Sequence, residues 1–202
     1  MNAFVGTGAS MKRSAFAAMA LLLGCHSAMA ADSLSLTFGS YQSSPVVLTH
    51  FAIEMPLAET QRLIVVSAAE REMPRTYSAN ALSLPRDVDH DGHWTVAAQW
   101  VELQTDRAWR ATVDAPISAL TEWHGSAQLN VIFGPNGLFL IGSDKIGNRH
   151  SDRVDVAYVC GTRVPDADRS WRTETGYFPD LPDVLDYARP VPPRTHCPMP
   201  AR

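Results

Sequence analysis

The 202-residue chain has no apolar run of the roughly 20 residues that a membrane-crossing helix needs, and its most apolar stretch, Ala15 to Gly24, is about half that length. It also lacks the short signatures of common catalysis: no G-x-S-x-G elbow, no H-E-x-x-H pair and no Walker loop. An enzyme reading must then rest on groups that meet only in space, and a hydrolase with such a site is the alternative class. Gly39-Ser40 and Gly142-Ser143 read as turn residues rather than as nucleophile motifs. Internal repeats and low-complexity tracts are absent, which excludes a solenoid and points to a single domain. Basic residues are in the minority, 17 against 21 acidic, and this balance argues against a nucleic-acid partner.

Cysteine is scarce, and the three that exist are informative by position. Lys12 and Arg13 precede the Ala15 to Gly24 run, and Ala28-Met29-Ala30 comes after it, the pattern of a secretory signal peptide over 1–30. Met11 stands just before the positive pair and is an alternative start. Two processing routes stay open: cleavage after Ala30, or acylation of Cys25 in Leu22-Leu23-Gly24-Cys25, which would make an outer-membrane lipoprotein. Both export the protein to the periplasm or cell envelope, and membrane attachment arises only through a lipid on Cys25. Loss of Lys12 and Arg13 leaves 15 basic residues and a net charge of −6. Cys160 and Cys197 then remain as an even pair in an oxidising compartment, and a disulfide between them is expected. Its loop entropy is worth roughly 3–4 kcal/mol.

Beyond residue 30 the chain is β-rich. Short runs at Leu34 to Tyr41, Val46 to Met55 and Arg62 to Ala69 read as strands. Trp94 to Leu103 and Arg107 to Val113 form an expected hairpin. Leu129 to Phe133 and Leu138 to Ile141 form another around Asn136-Gly137, a pair that tolerates positive φ. A short helix is expected over Pro116 to Trp123, one strand over Val154 to Val164 with Cys160 inside it, and a short helix over Leu181 to Tyr187. The fold class is mainly β, or α+β: an antiparallel sheet or β-sandwich with one or two covering helices. A domain over 31–164 is succeeded by a proline-rich tail, 165–202, laid over its surface.

Asp87-Val88-Asp89-His90-Asp91-Gly92 alternates carboxylates and ends on glycine, as calcium loops do, so Asp87, Asp89 and Asp91 are candidate calcium ligands. The twelfth position is Ala98, which excludes an EF-hand; Glu102 or Asp106 would have to complete the set. The competing reading is a solvated acidic turn. His90 and His93 flank the loop and offer a zinc alternative, short of the three or four ligands zinc takes. Five tryptophans, Trp94, Trp100, Trp109, Trp123 and Trp171, are numerous for this length; Trp94 and Trp100 share one face of a regular strand. Most belong in a core, and an exposed subset would form a binding face.

The stretch Gln99 to Thr105, continuing through Trp109 and Ala115-Pro116 to Val131-Ile132-Phe133-Gly134-Pro135-Asn136-Gly137, resembles a family of small bacterial exported lipoproteins known as a domain of unknown function. The resemblance implies a cell-envelope location and a binding role without catalysis, some relatives serving as immunity proteins that block a secreted antibacterial toxin. The matched elements are structural, and the Leu23 of the lipid-attachment stretch departs from the family pattern. No cofactor is expected beyond the calcium considered above.

Overall fold

A computed structural model of the chain describes residues 31–42, 44–70, 80–144, 153–173, 181–187 and Cys197. Residues 1–30, read from the sequence as a signal peptide with Met11, Cys25 and Ala30 in it, lie outside the described residues. So does most of the 165–202 tail beyond residue 173. Among the described residues, no helix is long and apolar enough to cross a membrane.

Two sheets face each other as a sandwich. The first contains β1 (Ser33–Ser40), β4 (Asn80–Ser83), β7 (Glu122–Trp123), β8 (Ser126–Gly134), β9 (Leu138–Asp144) and β10 (Arg153–Cys160), in the order β10-β9-β8-β1-β4 with β7 on β8. The second contains β2 (Val46–Ile53), β3 (Ala58–Val65), β5 (His93–Glu102), β6 (Ala108–Pro116) and β11 (Thr162–Arg163), in the order β11-β6-β5-β2-β3. Among these strands pairing is antiparallel except that β1 runs parallel to β8.

The strand period of two sets the layers. In β1, Leu34, Leu36 and Phe38 face the other sheet while Ser33, Ser35 and Thr37 face outward; in β5, Trp94, Val96, Ala98 and Trp100 point into the same interior. Trp100 sits at its centre, its ring 5.1 Å from Phe133 and 5.6 Å from Phe139. Strand β5 is buried on its other face too, where Val101, with Val47, Leu103 and Ala108, packs against Trp171, Val184 and Leu185. The latter two belong to α1 (Leu181–Tyr187), which covers the outside of the second sheet.

Both expected hairpins form. Trp94 pairs with Ala115 and Trp100 with Trp109 along β5 and β6. Gly134 pairs with Leu138, leaving Pro135, Asn136 and Gly137 as the loop, with φ of 57° at Asn136 and 81° at Gly137. Gly137 is fixed by space as well as by φ, because a Cβ there would lie 2.5 Å from the Trp109 ring.

Four local expectations change. The strand expected over Arg62 to Ala69 is β3, which ends at Val65; Ser67 to Ala69 leave the second sheet and hydrogen-bond Ser40 on the first. The helix expected over Pro116 to Trp123 is one 3-10 turn, Ile117–Ala119, set between Pro116 at the end of β6 and the short strand β7. The single strand expected over Val154 to Val164 breaks at Gly161, where the chain crosses from the first sheet to the second. A Cβ at Gly161 would lie 3.1 Å from Trp100. Gly39-Ser40 and Gly142-Ser143 are strand residues, not turns: a Cβ at Gly39 would collide with Ala69 and one at Gly142 with Arg153, each at 2.5 Å.

Candidate functional site

Asp87, Asp89 and Asp91 stand on the loop between β4 and β5, and two of their carboxylates hold the loop itself. Asp87 accepts from the backbone N–H of Asp91 at 3.2 Å and of Gly92 at 2.9 Å; Asp91 accepts from that of His93 at 2.8 Å. His90 and Gly92 take positive φ, 56° and 80°, to close the turn. Glu54, across the loop, accepts from the N–H groups of Val88 at 3.1 Å and Thr95 at 2.6 Å. His93 lies against Asp91, 3.6 Å from its carboxylate. Among the described residues, no three His, Cys, Asp or Glu side chains gather into a set that could hold a metal ion.

The two carboxylates considered as extra ligands serve elsewhere. Glu102, 2% exposed at the end of β5, accepts from the Gly137 N–H at 2.8 Å and the Thr105 hydroxyl at 2.7 Å. Burial pushes its carboxyl above the usual range, and those two hydrogen bonds to the anion oppose the shift. Asp106, at φ 56°, accepts from Arg172 at 3.0 Å and from the Trp171 indole at 3.2 Å. Asp168 binds Arg163 in two places, at 2.8 and 2.7 Å, and accepts from the Ala108 N–H at 2.7 Å. The Arg163 hydrogen bonds hold the Asp168 carboxyl below its ordinary value. Asp106 and Asp168 together fasten residues 163–172 to the β5–β6 turn.

Ser143 is buried and fully engaged, donating to the Gln128 carbonyl at 2.7 Å and accepting from the Thr121 N–H at 2.9 Å. Cys160 and Cys197 form a disulfide with a Cα separation of 5.6 Å, within the ordinary range.

The tryptophans divide by exposure. Trp94, Trp100 and Trp171 are buried and Trp109 is half-buried, whereas Trp123 is 48% exposed. It is set by a two-residue hairpin between β7 and β8, with His124 at φ 49° and Gly125 at 76°. Trp123 pairs with Ser126, Ser126 with Ser33 and Ser33 with Ser83, so one row crosses the outer side of the first sheet from an indole over three serines. The Ser33 and Ser126 hydroxyls are 2.5 Å apart. His124 packs edge-on to Trp123 at 4.6 Å. This exposed indole beside uncharged hydroxyls is the candidate binding face: an apolar plate with hydrogen-bonding groups at its side. The sequence singles out Trp123 but not these serines, of which only Ser33 lies in the alternating stretch of β1; their alignment with Trp123 comes from the β7–β8, β1–β8 and β1–β4 pairings.

Comparison with protein-family models, with curated proteins and with solved structures finds no match to this chain.

Proposed function

We propose that this protein is an exported binding protein of the bacterial cell envelope that acts by surface complementarity and without turnover. The observation that carries the binding reading is Trp123, an exposed tryptophan in a chain whose other tryptophans pack into its interior or against its surface segments. Tryptophan contributes heavily to binding when a partner covers it, because a large rigid ring is desolvated at little entropic cost. The Cys160–Cys197 disulfide supports the location, since such bonds persist in oxidising compartments. The engagement of Glu102, Asp106, Asp168 and Ser143 in structural hydrogen bonds supports a role without catalysis.

The resemblance noted from the sequence adds the immunity type: a partner that is a toxin delivered to the periplasm. Affinity capture from an envelope extract, and from lysate expressing the neighbouring genes, tests both parts. The expected result is one stoichiometric protein partner, toxic when produced alone, whose capture falls at least about tenfold for Trp123→Ala, a central hot-spot loss. Capture that Trp123→Ala leaves unchanged would remove this face from the proposal. Turnover of an ester, peptide or peptidoglycan substrate by the purified protein would replace binding with catalysis.

A further inference from the structure

The outer side of the second sheet is apolar and covered by the chain's own C-terminal segment. Val47, Val101, Leu103 and Ala108 are each at most 2% exposed, and Trp171, Val184 and Leu185 are what lies over them, with Ile64 at the margin. The interior between the sheets is a separate cluster, built from β1, β2, β5, β6, β8 and β9 and centred on Trp100, Phe133 and Phe139. Among the described residues the two clusters share no side chain.

The covering segment is attached at two points of different chemistry. Its near end, residues 163–172, is held by ion pairs and hydrogen bonds from Asp106 and Asp168. Its far end is held by the Cys160–Cys197 disulfide, which closes a separation of 37 residues with α1 lying inside it. Cys160, at the end of β10, is an exposed residue; Cys197 is 6% exposed. A seven-residue helix does not hold itself together in water, so α1 depends on its docking and on the bond beyond it.

We infer that the Cys160–Cys197 disulfide is a redox latch on this cover: reduction frees α1 from the second sheet and uncovers the part of the Val47, Ile64, Val101 and Leu103 strip that Val184 and Leu185 cover, while Trp171 and the sandwich stay in place. The step is ordinary thiol–disulfide exchange. A thiolate of an external dithiol attacks the sulfur of Cys160, the more exposed of the two residues, the Cys160–Cys197 bond breaks, and Cys197 leaves as a thiolate that takes a proton. The reductant's second thiol then attacks the mixed disulfide and releases Cys160. Two electrons and two protons pass to the protein, and the dithiol becomes its own disulfide.

Limited proteolysis of the full folded protein, oxidised and then reduced with dithiothreitol, tests this, with fragments mapped by mass spectrometry and strand content monitored by circular dichroism. Starting from wild-type protein already folded removes any question of whether a variant folds. The expected result is cleavage within α1, Leu181–Tyr187, at least about tenfold faster after reduction, with the strands of both sheets retained and the strand signal unchanged, because cleavage tracks the open population. Binding of an apolar dye should rise in parallel, and reoxidation should reverse both. Parallel cleavage of the strands and loss of the strand signal would show a global staple and overturn the latch, as would an unchanged cleavage rate.

Discussion

The two sheets bury their outer sides by opposite means. On the first sheet, Thr37 donates to the Asn130 amide oxygen at 2.5 Å, and Asn130 donates to Asp144 at 2.8 Å, all three essentially excluded from water. Arg153, 6% exposed, pairs with Asp155 at 2.6 Å, reaches the Ala69 carbonyl and lies over the Tyr41 ring. On the second sheet the same depth of burial is reached by Val47, Val101, Leu103 and Ala108 under Trp171. A polar outer side must satisfy each buried group and is sensitive to losing any partner. An apolar one tolerates rearrangement and depends on whatever keeps its cover in place.

The largest effect expected is outside this contrast and calibrates it. Trp100→Ala should cost about 3–5 kcal/mol, from loss of a fully buried ring between Phe133 and Phe139, and denaturant unfolding measures it. Leu103→Ala should cost about 2–5 kcal/mol in the oxidised protein. That cost should shrink once the disulfide is reduced, because the α1 part of the cover over the Leu103 cluster is then released; coupling of this kind is what a double-mutant cycle reads. Asn130→Ala should cost about 1–3 kcal/mol, because the buried Thr37 hydroxyl and Asp144 carboxylate each lose a hydrogen-bond partner, and the same amount in oxidised and reduced protein. Equal redox dependence for Leu103→Ala and Asn130→Ala would break the comparison.

Glu102 sharpens it from a different side, as a carboxyl buried at the corner where the two sheets exchange the chain. Its folded-state pKa is raised above 4.5, so the folded state favours the protonated form. That contribution to stability is present below the unfolded value and is lost as pH rises through the folded value. Glu102→Gln should flatten this slope, seen as Tm against pH from about 4 upward. The smallest effect is at the acidic loop: Asp87→Ala should lower stability by about 1 kcal/mol, as loss of a capping carboxylate does. The same shift is expected in calcium and in chelator, because Asp87 binds the N–H groups of Asp91 and Gly92. A calcium-dependent difference would restore the loop as a cation site.

Much of the fold is legible in the sequence because it is local. Alternation places Trp94 and Trp100 on one face, and Asn136-Gly137 announces its hairpin. The stretch Leu181–Tyr187 is a helix over the expected residues. Local pattern misleads where a residue answers to a distant neighbour. Gly39 and Gly142 look like turn glycines, yet each sits in a strand where Ala69 or Arg153 leaves no room for a Cβ, and Gly161, inside an expected strand, is where the chain changes sheets. Thr37 and Asn130 carry the polar half of an alternating pattern, which ordinarily means solvent, and both are fully buried. The candidate face shows the same limit: Trp123 can be named from the sequence, but not separated from the four more buried tryptophans.

The strand periods, the Asn136-Gly137 turn and the even cysteine pair can be read from the residues alone, because each depends on a residue's own conformational preference or on chemistry shared by two named groups. Only the tertiary structure decided that β1 lies parallel to β8, which aligns Trp123 with its serines. It also decided that the chain changes sheets at Gly161 and that the C-terminal segment covers Val47 and Val101. Those features come from packing between residues far apart in the chain, and the energy of such contacts is written in no local pattern.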